Sequence, residues 1–171
     1  MKLRVMLADD HTLFREALRM VLELEPDIEV VAEAENGHRV FECIDQARPD
    51  VVCMDLNMPG LDGVETTRRV LSSHPQVKVI ALSAHVDRHR VAEMFRAGAL
   101  GYVVKGSAGV ELLAAIRAVR LSRNYFSPEL GIKGVADLAI SHELGNNRRH
   151  ATGPVTASAD VAGCVQQRYA A

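Results

Sequence analysis

Three short apolar runs in this chain each end on charge. Leu3-Arg4-Val5-Met6-Leu7-Ala8 runs into Asp9-Asp10, Val51-Val52-Cys53-Met54 into Asp55, and Leu100-Gly101-Tyr102-Val103-Val104 into Lys105. Short apolar segments bounded by turn signals read as buried parallel strands. In open α/β sheets, ligands bind at the carboxyl ends of such strands. That placement gathers three aspartates and one lysine around a single crevice. Three carboxylates in one site repel one another unless a cation sits among them. An all-oxygen set suits Mg²⁺, which leaves coordination positions open for a phosphate. The residues point to metal-assisted phosphoryl chemistry.

Strand-like and helix-like segments alternate along the front of the chain. Strands are predicted at 3–8, 28–33, 51–55, 77–83 and 100–104, with helices near 12–24, 37–47, 63–73, 87–97 and 108–120. In the first helix Leu13, Ala17, Leu18, Val21 and Leu22 recur at helical spacing with charges between them. Pro26 closes that segment, because the residue before proline leaves helical geometry. Asn36-Gly37, Pro59-Gly60 and Asp62-Gly63 mark turns. Alternating units of this length predict a doubly wound, five-stranded parallel sheet with helices on both faces.

Net charge is −2 over 171 residues, which gives no overall drive toward nucleic acid or an anionic membrane. Residues 1–120 carry 15 Lys+Arg against 18 Asp+Glu and the remainder 5 against 4, so the tail is not a basic arm. Cys43, Cys53 and Cys164 have no metal-type spacing, and Cys53 lies inside an apolar run as a small hydrophobe. A reducing cytoplasm follows as the simple expectation. No apolar run approaches the roughly 18 residues of a membrane span.

Taken singly, each charged residue has an ordinary explanation. Asp9-Asp10 would cap a helix, Asp55 would open a polar turn, and Lys105 would be solvated. Their joint placement at strand ends outweighs those readings. Ser83, ending Val77-Lys78-Val79-Ile80-Ala81-Leu82, adds a hydroxyl at a fourth strand end.

The ordered motifs resemble the receiver domain of two-component response regulators. They are Asp9-Asp10, the block from Met54 to Gly63, Ala81-Leu82-Ser83-Ala84, and Gly98 to Lys105, within residues 2–121. The continuation Lys105-Gly106-Ser107, then Glu111 to Arg117 and Tyr125 to Leu130, resembles the NarL/FixJ subfamily, whose members carry a C-terminal LuxR-type DNA-binding domain. The resemblance implies a flavodoxin-like fold. It makes Asp55 the acceptor of a phosphoryl group from a sensor histidine kinase. It implies Mg²⁺ held by Asp10, Asp55 and the backbone carbonyl of Asn57, with Asp9 acting through a bound water. Lys105 would contact one phosphoryl oxygen and Ser83 another, drawing its loop inward, and Tyr102 would follow into the space vacated. The implied molecule is no enzyme in the usual sense. It catalyses its own phosphorylation and slow dephosphorylation, and phosphorylation would drive a homodimer.

Two features depart from that pattern. Gly106 stands where many receivers have proline, so a trans bond is expected after Lys105. Pro154-Val155-Thr156 resembles the opening of a LuxR-type domain, yet 15 residues follow Thr156, too few for a helix-turn-helix. The expected division is a receiver over 1–121, a linker with room for short helices over 122–153, and a disordered output-domain remnant over 154–171. A weak amphipathic pattern covers 133–144, and Arg148-Arg149-His150 reads as exposed linker. Ser127-Pro128-Glu129 reads as a helix start, with Ser127 as N-cap. A truncation or frame shift near residue 156 is expected, and with it no specific DNA binding.

Other classes fit less well. A stand-alone receiver acting as phosphate sink or adaptor shares the chemistry but would end nearer residue 125. Phosphohydrolases of the haloacid-dehalogenase type need a second aspartate two residues after the nucleophile, where Asn57 stands. A dinucleotide site fails because the first strand ends in two acids and no glycine-rich loop.

Overall fold

A computed structural model describes residues 2–131. Five strands alternate with five helices: β1 Leu3–Ala8, α1 Thr12–Glu23, β2 Ile28–Ala34, α2 Gly37–Ala47, β3 Val51–Asp55, α3 Gly63–Ser73, β4 Lys78–Ser83, α4 Arg88–Ala97, β5 Gly101–Val104 and α5 Ala108–Arg120. A sixth strand, β6 Tyr125–Phe126, follows α5, and a 3₁₀ turn at Pro128–Leu130 follows that. All pairs are parallel, in the order β2-β1-β3-β4-β5-β6.

Alternation along the strands splits the core into two layers, as a pleat with period two requires. Met6 and Ala8, Val52 and Met54, Val79 and Ala81 face α2, α3 and α4, meeting Val40, Ile44, Val70, Met94 and Phe95. Val5 and Leu7, Val51 and Cys53, Ile80 and Leu82 face the other way, onto Leu18 and Leu22 of α1 and Leu112, Ile116 and Val119 of α5. Burial pushes the Cys53 thiol up to about 12, which suits a structural rather than a reactive role.

The turn signals become caps. Asn36, Asp62 and Asp87 each accept a hydrogen bond from a backbone N–H in the first turn of the helix they precede. Gly98, at φ 108°, closes α4 in the left-handed conformation that a side chain resists. The peptide after Lys105 is trans, since the described residues contain no cis bond.

The sheet has six strands where five were expected, and the expected boundary at residue 121 falls inside the folded unit. β6 is only two residues long, below what a hydrophobic pattern can register. Contacts hold it in place. Tyr125 N–H donates to Leu100 O at 3.0 Å and Ser127 N–H to Tyr102 O at 2.9 Å. Phe126 stacks on Phe95 with ring centroids 4.6 Å apart. Ser127 precedes a 3₁₀ turn, as its sequence suggests, but its hydroxyl does not cap that turn. It accepts from Val104 N–H at 2.9 Å and donates to Glu111 Oε2. The weak pattern over 133–144, Arg148-Arg149-His150, Cys164 and the whole 154–171 segment lie outside the described residues.

Candidate functional site

Strand order reverses at β1. The chain steps from β1 to β2 on one side and returns to β3 on the other. That switch point opens a crevice at the carboxyl ends of β1 and β3. Ala8 lies opposite Met54 in the register, so Asp9 and Asp55 leave the sheet side by side.

Both carboxylates are buried, each 1% exposed. Lys105, delivered by β5, places Nζ 2.7 Å from Asp9 Oδ2 and 2.8 Å from Asp55 Oδ2. The ammonium also lies 5.0 Å from the Phe14 ring centroid, a cation–π contact from α1. One lysine therefore serves two buried acids, and Asp10 adds a third carboxylate at the rim. Burial pushes the Asp55 carboxyl above its usual range, and the neighbouring Asp9 charge adds to the rise; the hydrogen bonds from Lys105 and from Asn57 N–H act against it.

Backbone and side chains around the acids hold their positions. Asn57 N–H donates to Asp55 Oδ1 at 3.2 Å, and His11 N–H to Asp9 Oδ1 at 2.9 Å. Arg15 donates to the Asp9 carbonyl at 2.5 Å while pairing with Glu33 of β2. Gly63 lets α3 approach the crevice: a Cβ there would sit 2.1 Å from the Asp55 carbonyl oxygen. Across the mouth, Arg90 of α4 reaches Asn57 Oδ1 at 3.3 Å and Asp62 Oδ2 at 3.8 Å.

Of the residues expected from sequence, Asp9, Asp10, Asp55 and Lys105 converge, and Asn57 flanks them. Ser83 and Tyr102 form a separate pair centred on the His85 carbonyl. Ser83 Oγ donates to it at 2.9 Å and Tyr102 OH at 3.2 Å. Tyr102 is fully buried. The sequence patterns did not single out His11, Phe14, Arg15 or Arg90. His11 carried the plainest signal, standing directly after the acid pair.

Ligand atoms of Asp9, Asp10, His11 and Asp55 all lie within 4.8 Å of one another. The donor set is rich in carboxylate oxygen and short of positive charge, which fits a hard divalent cation.

The family model of the response regulator receiver domain matches residues 5–117. The chain belongs to that family. It is 39% identical over 129 residues to the transcriptional regulatory protein DegU of Brevibacillus brevis, covering 75% of this chain and 55% of DegU. It is 37% identical over 128 residues to the response regulator GacA of Pseudomonas viridiflava, covering 75% of this chain and 60% of GacA. Among solved structures, a LuxR-family two-component response regulator from Aurantimonas sp. superposes with a TM-score of 0.75 at 34% identity, covering 82% of this chain and 99% of that one. This is a receiver of the NarL/LuxR type, on the flavodoxin-like fold. It spans somewhat over half the length of the curated relatives it matches.

Proposed function

We propose that Asp55 of this receiver accepts a phosphoryl group from the phosphohistidine of a sensor kinase, with Mg²⁺ held by Asp10, Asp55 and the Asn57 carbonyl and steadied by Asp9 through water. The observation that carries this reading is a buried carboxylate at a strand end, facing a lysine ammonium 2.8 Å away, beside two further acids. A Mg²⁺ ion there neutralises carboxylate and phosphoryl oxygens.

The chain's own residues supply the rest. An Asp55 carboxylate oxygen attacks phosphorus, the phosphorus–nitrogen bond of the donor breaks, and the electron pair leaves with the donor imidazole. Lys105 transfers its contact from Asp55 Oδ2 to a phosphoryl oxygen, where its charge counts most in a water-poor site. Ser83 gives up the His85 carbonyl to reach another phosphoryl oxygen. Tyr102, bonded to the same carbonyl, registers that change inside the core. A local charge event thereby biases the loop between β4 and α4 and the face it borders.

The wider role follows from the relatives, which are transcription regulators and response regulators by name. The proposed output is control of transcription, through a cytoplasmic receiver whose phosphorylation favours a homodimer. Among the described residues no helix is long and apolar enough to cross a membrane. The test is incubation with acetyl phosphate and Mg²⁺, followed by mass spectrometry of the modified residue. Phosphate is expected on Asp55, and not when Mg²⁺ is chelated before incubation or in Asp55→Asn. Normal stoichiometry in Asp55→Asn contradicts the assignment.

A further inference from the structure

His11 is the one imidazole among the described residues that sits in the acid crevice. Its backbone N–H is pinned to Asp9 Oδ1 at 2.9 Å, which fixes where the ring starts. The ring nitrogen Nδ1 then lies 2.8 Å from Asp10 Oδ1 and 3.2 Å from Asp9 Oδ1. The side chain is otherwise open, 68% exposed, so nothing else on the surface holds it there.

Those distances match a coordination polyhedron. Ligands at about 2.1 Å in octahedral geometry lie about 3.0 Å apart when adjacent. Nδ1 and Asp10 Oδ1 are thus spaced as neighbours on one octahedron, with Asp9 left to act through water. Charge points the same way. Asp9, Asp10 and Asp55 against Lys105 leave a formal excess of two negative charges. Asp9 Oδ2, buried, has no well-aligned hydrogen bond and meets only the Lys105 ammonium.

We propose that His11 Nδ1 is a ligand of the divalent cation held by this crevice, and that it gives the site a preference for a first-row transition ion over Mg²⁺. The inference rests on the acid crevice being the metal site proposed above. Imidazole nitrogen binds Co²⁺, Ni²⁺ or Zn²⁺ far better than it binds Mg²⁺, and affinity at mixed nitrogen–oxygen sites rises along the first row toward copper. A receiver with this ligand responds to the supply of such ions as well as to its kinase. Binding takes up the neutral imidazole through the nitrogen that now faces the two acids, leaving Nε2 to carry the ring proton.

The test is calorimetric titration of the full chain with Mg²⁺ and separately with Co²⁺, in wild type, His11→Asn and His11→Ala. Asparagine is a good N-cap, so His11→Asn preserves the start of α1. Asp55→Asn identifies the heat that belongs to the crevice rather than to other histidines. Removal of the imidazole is expected to weaken Co²⁺ binding about tenfold or more, while Mg²⁺ binding stays within about twofold because Mg²⁺ prefers oxygen. The Co²⁺ complex of wild type is also expected to show a hyperfine-shifted, exchangeable imidazole proton, absent in His11→Asn. Equal losses for both ions, or no loss for Co²⁺, overturn the inference and leave His11 as a hydrogen-bonding partner of Asp9 and Asp10. A wild type that binds neither ion overturns the metal site itself.

Discussion

Among the described residues, two of the places that bury polar groups are built on opposite terms. At the β5–β6 edge, the Ser127 hydroxyl accepts from Val104 N–H and donates to Glu111, and the Ser127 N–H reaches Tyr102 O. Every group there has its partner. In the crevice, two buried carboxylates compete for one ammonium, and burial holds Asp55 above its usual range. Buried polar groups are inexpensive when satisfied and costly when charge is left over. The edge is a fastening. The crevice holds an excess of negative charge that the proposed divalent cation would offset.

The contrast can be broken from either side. The largest effect is expected at Gly63, where a Cβ meets the Asp55 carbonyl at 2.1 Å. Gly63→Ala is expected to cost about 3 kcal/mol in denaturant unfolding, since neither α3 nor β3 can yield without strain. It also displaces Asp55, so phosphorylation falls with stability. Mg²⁺ comes next. At a hundredfold excess over its dissociation constant it is expected to stabilise wild type by roughly 2.7 kcal/mol. Asp10→Ala is expected to fold normally and lose most of that gain, as thermal unfolding with and without Mg²⁺ would report.

At the edge, Ser127→Ala leaves the Val104 N–H buried without its acceptor. A loss of about 2 kcal/mol is expected from the cost of an unsatisfied buried donor. Faster hydrogen exchange should be confined to β5, β6 and the turn after them. A loss spread over the whole sheet would mean that β6 belongs to the core rather than fastening its rim.

The smallest effect concerns pH. A raised folded-state value means that ionised Asp55 opposes folding. Its favourable contribution is complete below the unfolded value near 3.8 and fades as pH rises through the higher folded value. Metal-free Asp55→Asn is therefore expected to gain on wild type as pH climbs through that interval, with the gap constant above it. Urea midpoints across the range check the sign.

The sequence made the frame of the sheet legible because β1, β3, β4 and β5 are predominantly apolar and almost wholly buried, with only Arg4 and Lys78 half-buried. Asp9, Asp10, Asp55 and Lys105 were legible for the same reason, since each ends or follows such a run. β6 was not, because two residues carry no periodicity and its stability comes from Phe95, Glu111 and the β5 backbone, distant in sequence. Arg15 and Arg90 were hidden as well. On a helix each looks like a solvated cation, and only the fold turns them toward the Asp9 carbonyl and Asn57. Tyr102 was legible as part of a buried strand, whereas the bond from its hydroxyl to the His85 carbonyl depends on the course of a loop that no pattern in the chain encodes.

The excess charge of the crevice is proposed to serve metal-assisted phosphoryl acceptance, at a cost to stability. Thermal unfolding of wild type and Asp55→Asn at neutral pH, each metal-free and with saturating Mg²⁺, tests it most directly. Asp55→Asn is expected to be the more stable protein without metal, and Mg²⁺ to stabilise wild type much more than the variant. An Asp55→Asn protein that is less stable without metal, and that gains as much from Mg²⁺ as wild type does, would contradict it.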